Sequence, residues 1–139
     1  MLYIHPVLMC LVILLYAYVL YLGVARFRFN HLKQRVMFQW KRHVRLGQLA
    51  VLCYVLGGVL GLAVARLEWG VAGGMGWPFR NFVFLILPLC AVSYATGIWM
   101  DRKKAPRKIL PLVHGLTNLL LLLLGLCQLS TGLPVIRPF

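Results

Sequence analysis

Residues 109–128 read ILPLVHGLTNLLLLLLGLCQ, a stretch that contains no Asp, Glu, Lys or Arg. An α-helix of about 20 apolar residues crosses the roughly 30 Å hydrocarbon core of a bilayer. The stretch therefore predicts a membrane-spanning helix. Its two strongly polar side chains near the start, His114 and Asn118, would then lie within or close to the membrane, where polar groups are costly and usually functional.

The rest of the chain has the same character. It has 139 residues, of which 62% are hydrophobic, and a soluble domain of this size could not bury so much apolar surface. The pattern predicts an all-α integral membrane four-helix bundle, built as two tandem helical hairpins in a single transmembrane domain, residues 1–139. The predicted spans are approximately 2–25, 44–65, 82–100 and 109–136.

Charge predicts the orientation of these spans. The formal net charge is +13, and twelve of the fifteen Lys and Arg residues lie in the loops after the first and third spans. The positive-inside rule places both loops in the cytoplasm and both termini on the opposite side of a bacterial inner or intracytoplasmic membrane. Membrane lipids are expected partners, since basic loops attract anionic headgroups. Nucleic acid is not expected, because no folded polar face carries the charge.

Catalysis by the chain itself is not indicated. The two acidic residues, Glu68 and Asp101, lie at span ends, so neither a carboxylate pair nor a proton relay at mid-depth is available. The cysteines fall one per span without a CxxC pattern, which is typical of apolar packing residues. The pattern favours an electron-transfer or accessory subunit over an enzyme.

A weak internal repeat relates the second span to the fourth. One and the same offset along the chain maps His43 onto His114 and Arg66 onto Arg137, and each histidine closely follows a basic loop. At a rise of about 1.5 Å per residue, two helices of equal direction carry these imidazoles at nearly the same depth, just inside the cytoplasmic interface. Two level histidines on such helices can hold one object between them.

Small residues line the helix face that follows each histidine. Helical spacing from His43 passes Gly47, Ala50 and Gly61, and spacing from His114 passes Asn118 and Gly125. Close helix packing is one interpretation, because small residues are the usual device for it in membranes. The other is a flat macrocycle lying against the glycines.

The paired histidines favour the second interpretation, a haem b with two axial imidazoles. Arg42 and Arg45 lie beside the same level and are candidate partners of the haem propionates. Alternatively, each arginine only helps to set the orientation of the spans. Each histidine, in turn, would then be an interfacial residue that forms a hydrogen bond with a neighbouring helix or with lipid headgroups.

Short motifs carry a resemblance to a known family. They are His5-Pro6-x-Leu8-Met9, Arg42-His43 with Gly47, His114 with Asn118, and Thr131-Gly132. Their order and spacing resemble a family of uncharacterised four-helix membrane proteins of bacteria and cyanobacteria, which is itself similar to the dihaem cytochromes of the b561 type.

The resemblance implies two haem sites, one near each membrane face. His43 and His114 match the inner pair of ligands, and His5 matches one outer ligand. The fourth ligand would open the third span, but residues 76–82 read GWPFRNF and contain no histidine. The resemblance therefore implies one inner haem and leaves the outer haem open.

We expect a haem b-binding electron-transfer subunit that acts within a larger membrane redox complex. Its partners would be other redox subunits or a quinone, and Asn118 would support the ligand from outside the coordination sphere. The alternative is a haem-free accessory subunit that packs against a larger complex and binds lipid or pigment.

Overall fold

The protein is a bundle of four long helices. The computed structural model describes the backbone of residues 4–69 and 77–136, and the side chains within them except 65, 68–69, 77–83 and 131–136. These residues form no strand, and the helices are α1 (Ile4–His31), α2 (Trp40–Trp69), α3 (Trp77–Arg102) and α4 (Ile109–Ile136). The predicted all-α four-helix class is confirmed.

Each helix is long and apolar enough to cross a membrane. A helix is stable in the hydrocarbon core because its backbone groups hydrogen-bond to one another where no water is available. Sequential helices pack as antiparallel neighbours, and α1 also packs on α4, while α2 and α3 touch more loosely. The helices thus form a ring in which α2 and α4 face each other across the bundle axis.

Two tyrosines fill the centre of the bundle. The rings of Tyr16 in α1 and Tyr54 in α2 lie 5.5 Å apart. The Tyr54 hydroxyl donates to the backbone carbonyl of Leu121 in α4 at 3.1 Å. Gly125 makes this possible, because a side chain there would collide with the Tyr54 hydroxyl. These buried contacts join helices on opposite sides of the axis.

The first hairpin has a regular antiparallel register. His5 packs on Gly61 and Met9 packs on Gly57, with the α1 side chain occupying the space that a Cβ on α2 would need. Gly57 and Gly61 belong to the small-residue face predicted on α2. In this half of the bundle they serve close packing against α1, which is the first of the two interpretations above.

The helices extend past the apolar runs at the basic end of the bundle, which we define as residues 26–45 and 101–108. α1 continues beyond its apolar run to His31, and its end is fixed by a 2.7 Å hydrogen bond from Arg28 Nε to Gln34 Oε1. Lys33 then turns the chain with φ 51°. The connection between α2 and α3, residues 70–76, and both chain termini lie outside the described residues.

Candidate functional site

The imidazoles of His43 and His114 meet across the bundle axis. His43 is the fourth residue of α2 and His114 the sixth residue of α4, so both lie within the first two turns of their helices. Their ring centroids are 6.3 Å apart and the ring planes are inclined by 75°. The two level histidines expected from the sequence are therefore brought together.

His43 is held from the side by α1. Its Nδ1 lies 3.1 Å from the carbonyl oxygen of Val19, which can only accept, so Nδ1 is the nitrogen that carries the proton. One turn further along α1, a Cβ built on Gly23 would lie 3.2 Å from His43 Cε1. The glycine lets the ring approach α1 closely enough to make this hydrogen bond.

His114 is held in the same way by α3. Its Nδ1 lies 2.9 Å from Thr96 Oγ1. The Thr96 hydroxyl proton is directed at backbone carbonyls, with Val92 O at 2.7 Å, so Thr96 Oγ1 accepts from the imidazole. A Cβ built on Gly97 would lie 3.3 Å from His114 Cε1.

The two hairpins therefore present their histidines by one shared arrangement. A glycine of the first helix lies against the imidazole of the second, and an acceptor of the first helix bonds Nδ1. The offset from Gly23 to Gly97 is slightly longer than the offset from His43 to His114. These glycines and Thr96 were not predicted from the sequence, because they lie on the helices that do not carry the histidines.

This geometry fits two ligands of one metal. Because Nδ1 is protonated and bonded in both rings, each Nε2 keeps the lone pair that binds a metal. Bonds of about 2.0–2.1 Å to the metal, plus about 1 Å from each nitrogen to its ring centre, sum to about 6 Å between centroids. The observed 6.3 Å is close to that sum, which applies to two rings whose Nε2 atoms face each other.

The donor set also indicates the kind of metal centre. Within the described parts of the chain, no group of three or more His, Cys, Asp or Glu side chains is placed to hold an ion. A structural zinc site uses four protein ligands, whereas a haem iron needs only axial ones. The two imidazoles are fewer than the four ligands of a structural zinc site and equal in number to the protein ligands that a bis-histidine haem takes.

Asn118 lies one turn below His114 and joins three helices. Its Oδ1 accepts from the Tyr16 hydroxyl at 2.6 Å and from the Ser93 hydroxyl at 2.8 Å. Its Nδ2 donates to the carbonyl oxygen of His114 at 2.7 Å. Asn118 thus links α1 and α3 to α4 and bonds the backbone that carries His114.

The other predicted binding residues are placed as follows. Gly47 faces α1, with Val19 Cγ1 at 3.5 Å from an added Cβ. The Arg42 guanidinium lies over the ring of Tyr18, 5.3 Å from its centroid. Arg45 is exposed. A further cation, Arg107 in the loop before α4, holds Nη1 buried with no hydrogen-bond partner.

His5 lies at the opposite end of the bundle from this pair. Its ring rests on Gly61, and its Nδ1 is buried without a hydrogen-bond partner. The offset that maps Gly23 of α1 onto Gly97 of α3 also maps His5 onto Phe79. The backbone at Phe79 is helical, and its side chain lies outside the described residues.

The fold is that of a multi-pass four-helix membrane protein in which two histidines on opposite helices contact each other near one end of the bundle. Comparison with protein-family models, with curated proteins and with solved structures finds no match for this chain.

Proposed function

We propose that the protein binds one haem b between His43 and His114 and transfers electrons as a subunit of a larger membrane redox assembly. The proposal rests on one observation above all. Two imidazoles on opposite helices lie 6.3 Å apart, and each has its Nδ1 bonded to the neighbouring helix. Each Nε2 is thereby left for iron.

Haem b supplies one-electron redox chemistry when it is bound. The chain's own contribution is to hold two neutral imidazoles in fixed tautomers and orientations. Val19 and Thr96 accept the Nδ1 protons, and Gly23 and Gly97 let the rings approach α1 and α3. Hydrogen bonds of this kind raise the basicity of the ligand. The surrounding apolar bundle keeps water from the centre.

The unpartnered Nη1 of Arg107 supports a role in binding a haem propionate. A guanidinium forms strong charge-assisted hydrogen bonds with a carboxylate. Arg42 and Arg45 lie at the same end of α2 and supply further positive charge. The expected result of Arg107→Gln is weaker haem retention with unchanged axial ligation.

At the outer end of the bundle, only one of the two histidines that a second haem would need is present. His5 offers a buried imidazole nitrogen without a partner, but its register counterpart is Phe79. We therefore propose one haem per chain and give His5 no axial role in the native protein.

The test is a reduced-minus-oxidised absorption spectrum of the purified protein with haem counted per chain. We expect a haem b spectrum, its loss in His43→Ala and in His114→Ala, and its retention in the control His31→Ala. His31 is a matched control, because it lies at the same end of the bundle but stacks on Phe27 at 4.9 Å. A folded preparation without haem would reject the proposal.

The basic end is proposed to face the cytoplasm of a bacterial inner or intracytoplasmic membrane. The twelve cations of the two loops support this orientation. Reporter fusions at both termini are expected to be non-cytoplasmic. Electron exchange with a quinone or with neighbouring redox subunits would complete the path, since one haem near one face does not span about 30 Å of hydrocarbon.

A haem-free accessory subunit is the second candidate, and a separate feature favours it. An apolar groove opens where α2 and α3 pack loosely, lined among others by Tyr54, Gly58 and Ile86. A hydrocarbon chain of a lipid or pigment suits such a lining. Co-purified lipid or pigment in a preparation that carries no haem would support this function over the first.

A further inference from the structure

The shortest route from water to the histidine pair runs through the basic end. His43 lies within the first turn of α2, about 4.5 Å along the helix axis from its start. The distance along the helix axis from Trp69, at the other end of α2, to His43 is about 39 Å. A soluble electron partner therefore has to approach the basic end.

One aromatic ring separates His43 from the surface there. Phe38, in the loop between α1 and α2, has its ring centroid 5.4 Å from that of His43. Phe38 is half-buried, and the Arg26 guanidinium covers it at 5.9 Å from the centroid. The site is thus in contact with a residue of the 32–38 loop.

This loop is fixed in place and exposes apolar side chains. Gln34 is bonded to Arg28 through its side chain and its backbone. Leu32 is exposed. Met37, at 90% exposure, is the most exposed large apolar side chain among the described residues. Lys33 and Arg35 lie exposed between them. Exposed methionine and arginine side chains are both enriched in protein docking surfaces.

The loop also lies beyond the apolar part of α1. That part ends near position 25, and the helix continues to His31, about 9 Å further along its axis. We therefore expect the loop that follows to lie outside the acyl chains, at the level of the headgroups or beyond it. This placement favours a soluble partner over the bilayer itself.

Charge specifies what kind of partner fits. The basic end carries twelve cations and one acid, Asp101. Among the side chains that the structure describes, none of these cations forms an ion pair, and several lie over aromatic rings instead. A partner that brings carboxylates would meet uncompensated positive charge, which speeds encounter and orients docking.

We propose that residues 32–38 form the docking surface for an acidic, soluble one-electron carrier protein. This inference rests on the proposed function. The carrier would be oxidised by one electron, and a haem b held by His43 and His114 would be the one-electron acceptor. No covalent bond forms or breaks, and Phe38 lies between the carrier and His43.

The test measures binding separately from electron transfer. The full chain is placed in nanodiscs of zwitterionic lipid, and an acidic [2Fe–2S] ferredoxin is the soluble probe. We expect binding that weakens steeply with ionic strength and falls tenfold or more in the double variant Lys33→Glu/Arg35→Glu. The matched control is Arg66→Glu, an exposed arginine at the other end of α2, which should bind the probe normally.

Three results would overturn the docking proposal. The first is a failure of the probe to bind the wild type at low salt, and the second is equal binding of the probe by the double variant. The third is that the double variant loses retained anionic lipid while its affinity for the probe is unchanged, which would assign the surface to headgroups. Each preparation is also scored for haem by its spectrum. Failed docking with a normal haem spectrum rejects only the docking surface, whereas absent haem rejects the proposed function.

Discussion

Gly23 of α1 lies against the imidazole of His43 in α2, and an added Cβ would be 3.2 Å from His43 Cε1. Few real Cβ contacts are this short, so a side chain at position 23 requires the ring to shift by a few tenths of an ångström. The same relationship recurs between Gly97 and His114 in the second hairpin. Each histidine is thus positioned by a glycine of the helix that precedes it.

Gly23→Ala is expected to weaken haem binding about 10–100-fold, the usual effect of disturbing the groups that orient a metal ligand. The added methyl displaces the ring from Val19 and from the metal. Haem titration of the apoprotein measures the effect. Gly58→Ala is the control, since a Cβ there meets nothing within 4 Å. Equal affinities in both variants would contradict the positioning role of Gly23.

Thr96→Val is expected to remove the acceptor of the His114 Nδ1 proton while keeping the shape of the side chain. The imidazole becomes a weaker donor to iron, so the midpoint potential rises, and haem affinity falls about 10–100-fold. Redox titration checks the first effect. Thr96→Ser, which keeps the hydroxyl, should restore the wild-type potential, and a potential insensitive to both changes would argue against this hydrogen bond.

Asn118→Leu is expected to destabilise the bundle by about 1–3 kcal/mol, because the Tyr16 and Ser93 hydroxyls and the His114 carbonyl lose their shared partner. Unfolding in mixed detergent micelles gives the free energy. Ser130→Ala is the control, since its hydroxyl bonds only the nearby Cys127 carbonyl and is exposed. Equal stability of the two variants would contradict a central role for the network.

The chain's sequence is sufficient to predict the class of fold and the level placement of His43 and His114. Hydropathy locates four spans because bilayer thickness demands long apolar runs. The equal spacing of His43 and His114 from Arg66 and Arg137 predicts that they lie level, and the structure brings them together. These are regularities along one helix or between two parallel ones.

The positioning residues could not be predicted in the same way. Gly23 and Gly97 act across antiparallel neighbours, so their role depends on the register within each hairpin. The stretch from Gly23 to His43 is longer than the stretch from Gly97 to His114, in part because the loop at 32–39 is longer than the loop at 103–108. The first and third helices are therefore related by a different offset from the second and fourth. A single offset therefore relates α2 to α4 or α1 to α3, but not both pairs.

Phe79→His tests whether position 79 of α3 is the counterpart of His5 at the outer end of the bundle. Phe79 is the counterpart of His5 at the offset that relates α1 to α3, so this substitution is expected to raise the haem count from one to two per chain. Phe84→His is the control, since Phe84 is exposed on the same helix. A count that stays at one in a folded Phe79→His protein would show that His5 cannot serve as an axial ligand there.

The central claim is that one iron is held by two imidazoles near the basic end. Low-temperature electron paramagnetic resonance of the oxidised protein, with iron counted per chain, tests it most directly. The account predicts one low-spin ferric centre per chain, which is lost when either His43 or His114 is replaced by alanine. A folded protein without iron, or a low-spin centre that survives both substitutions, would contradict it.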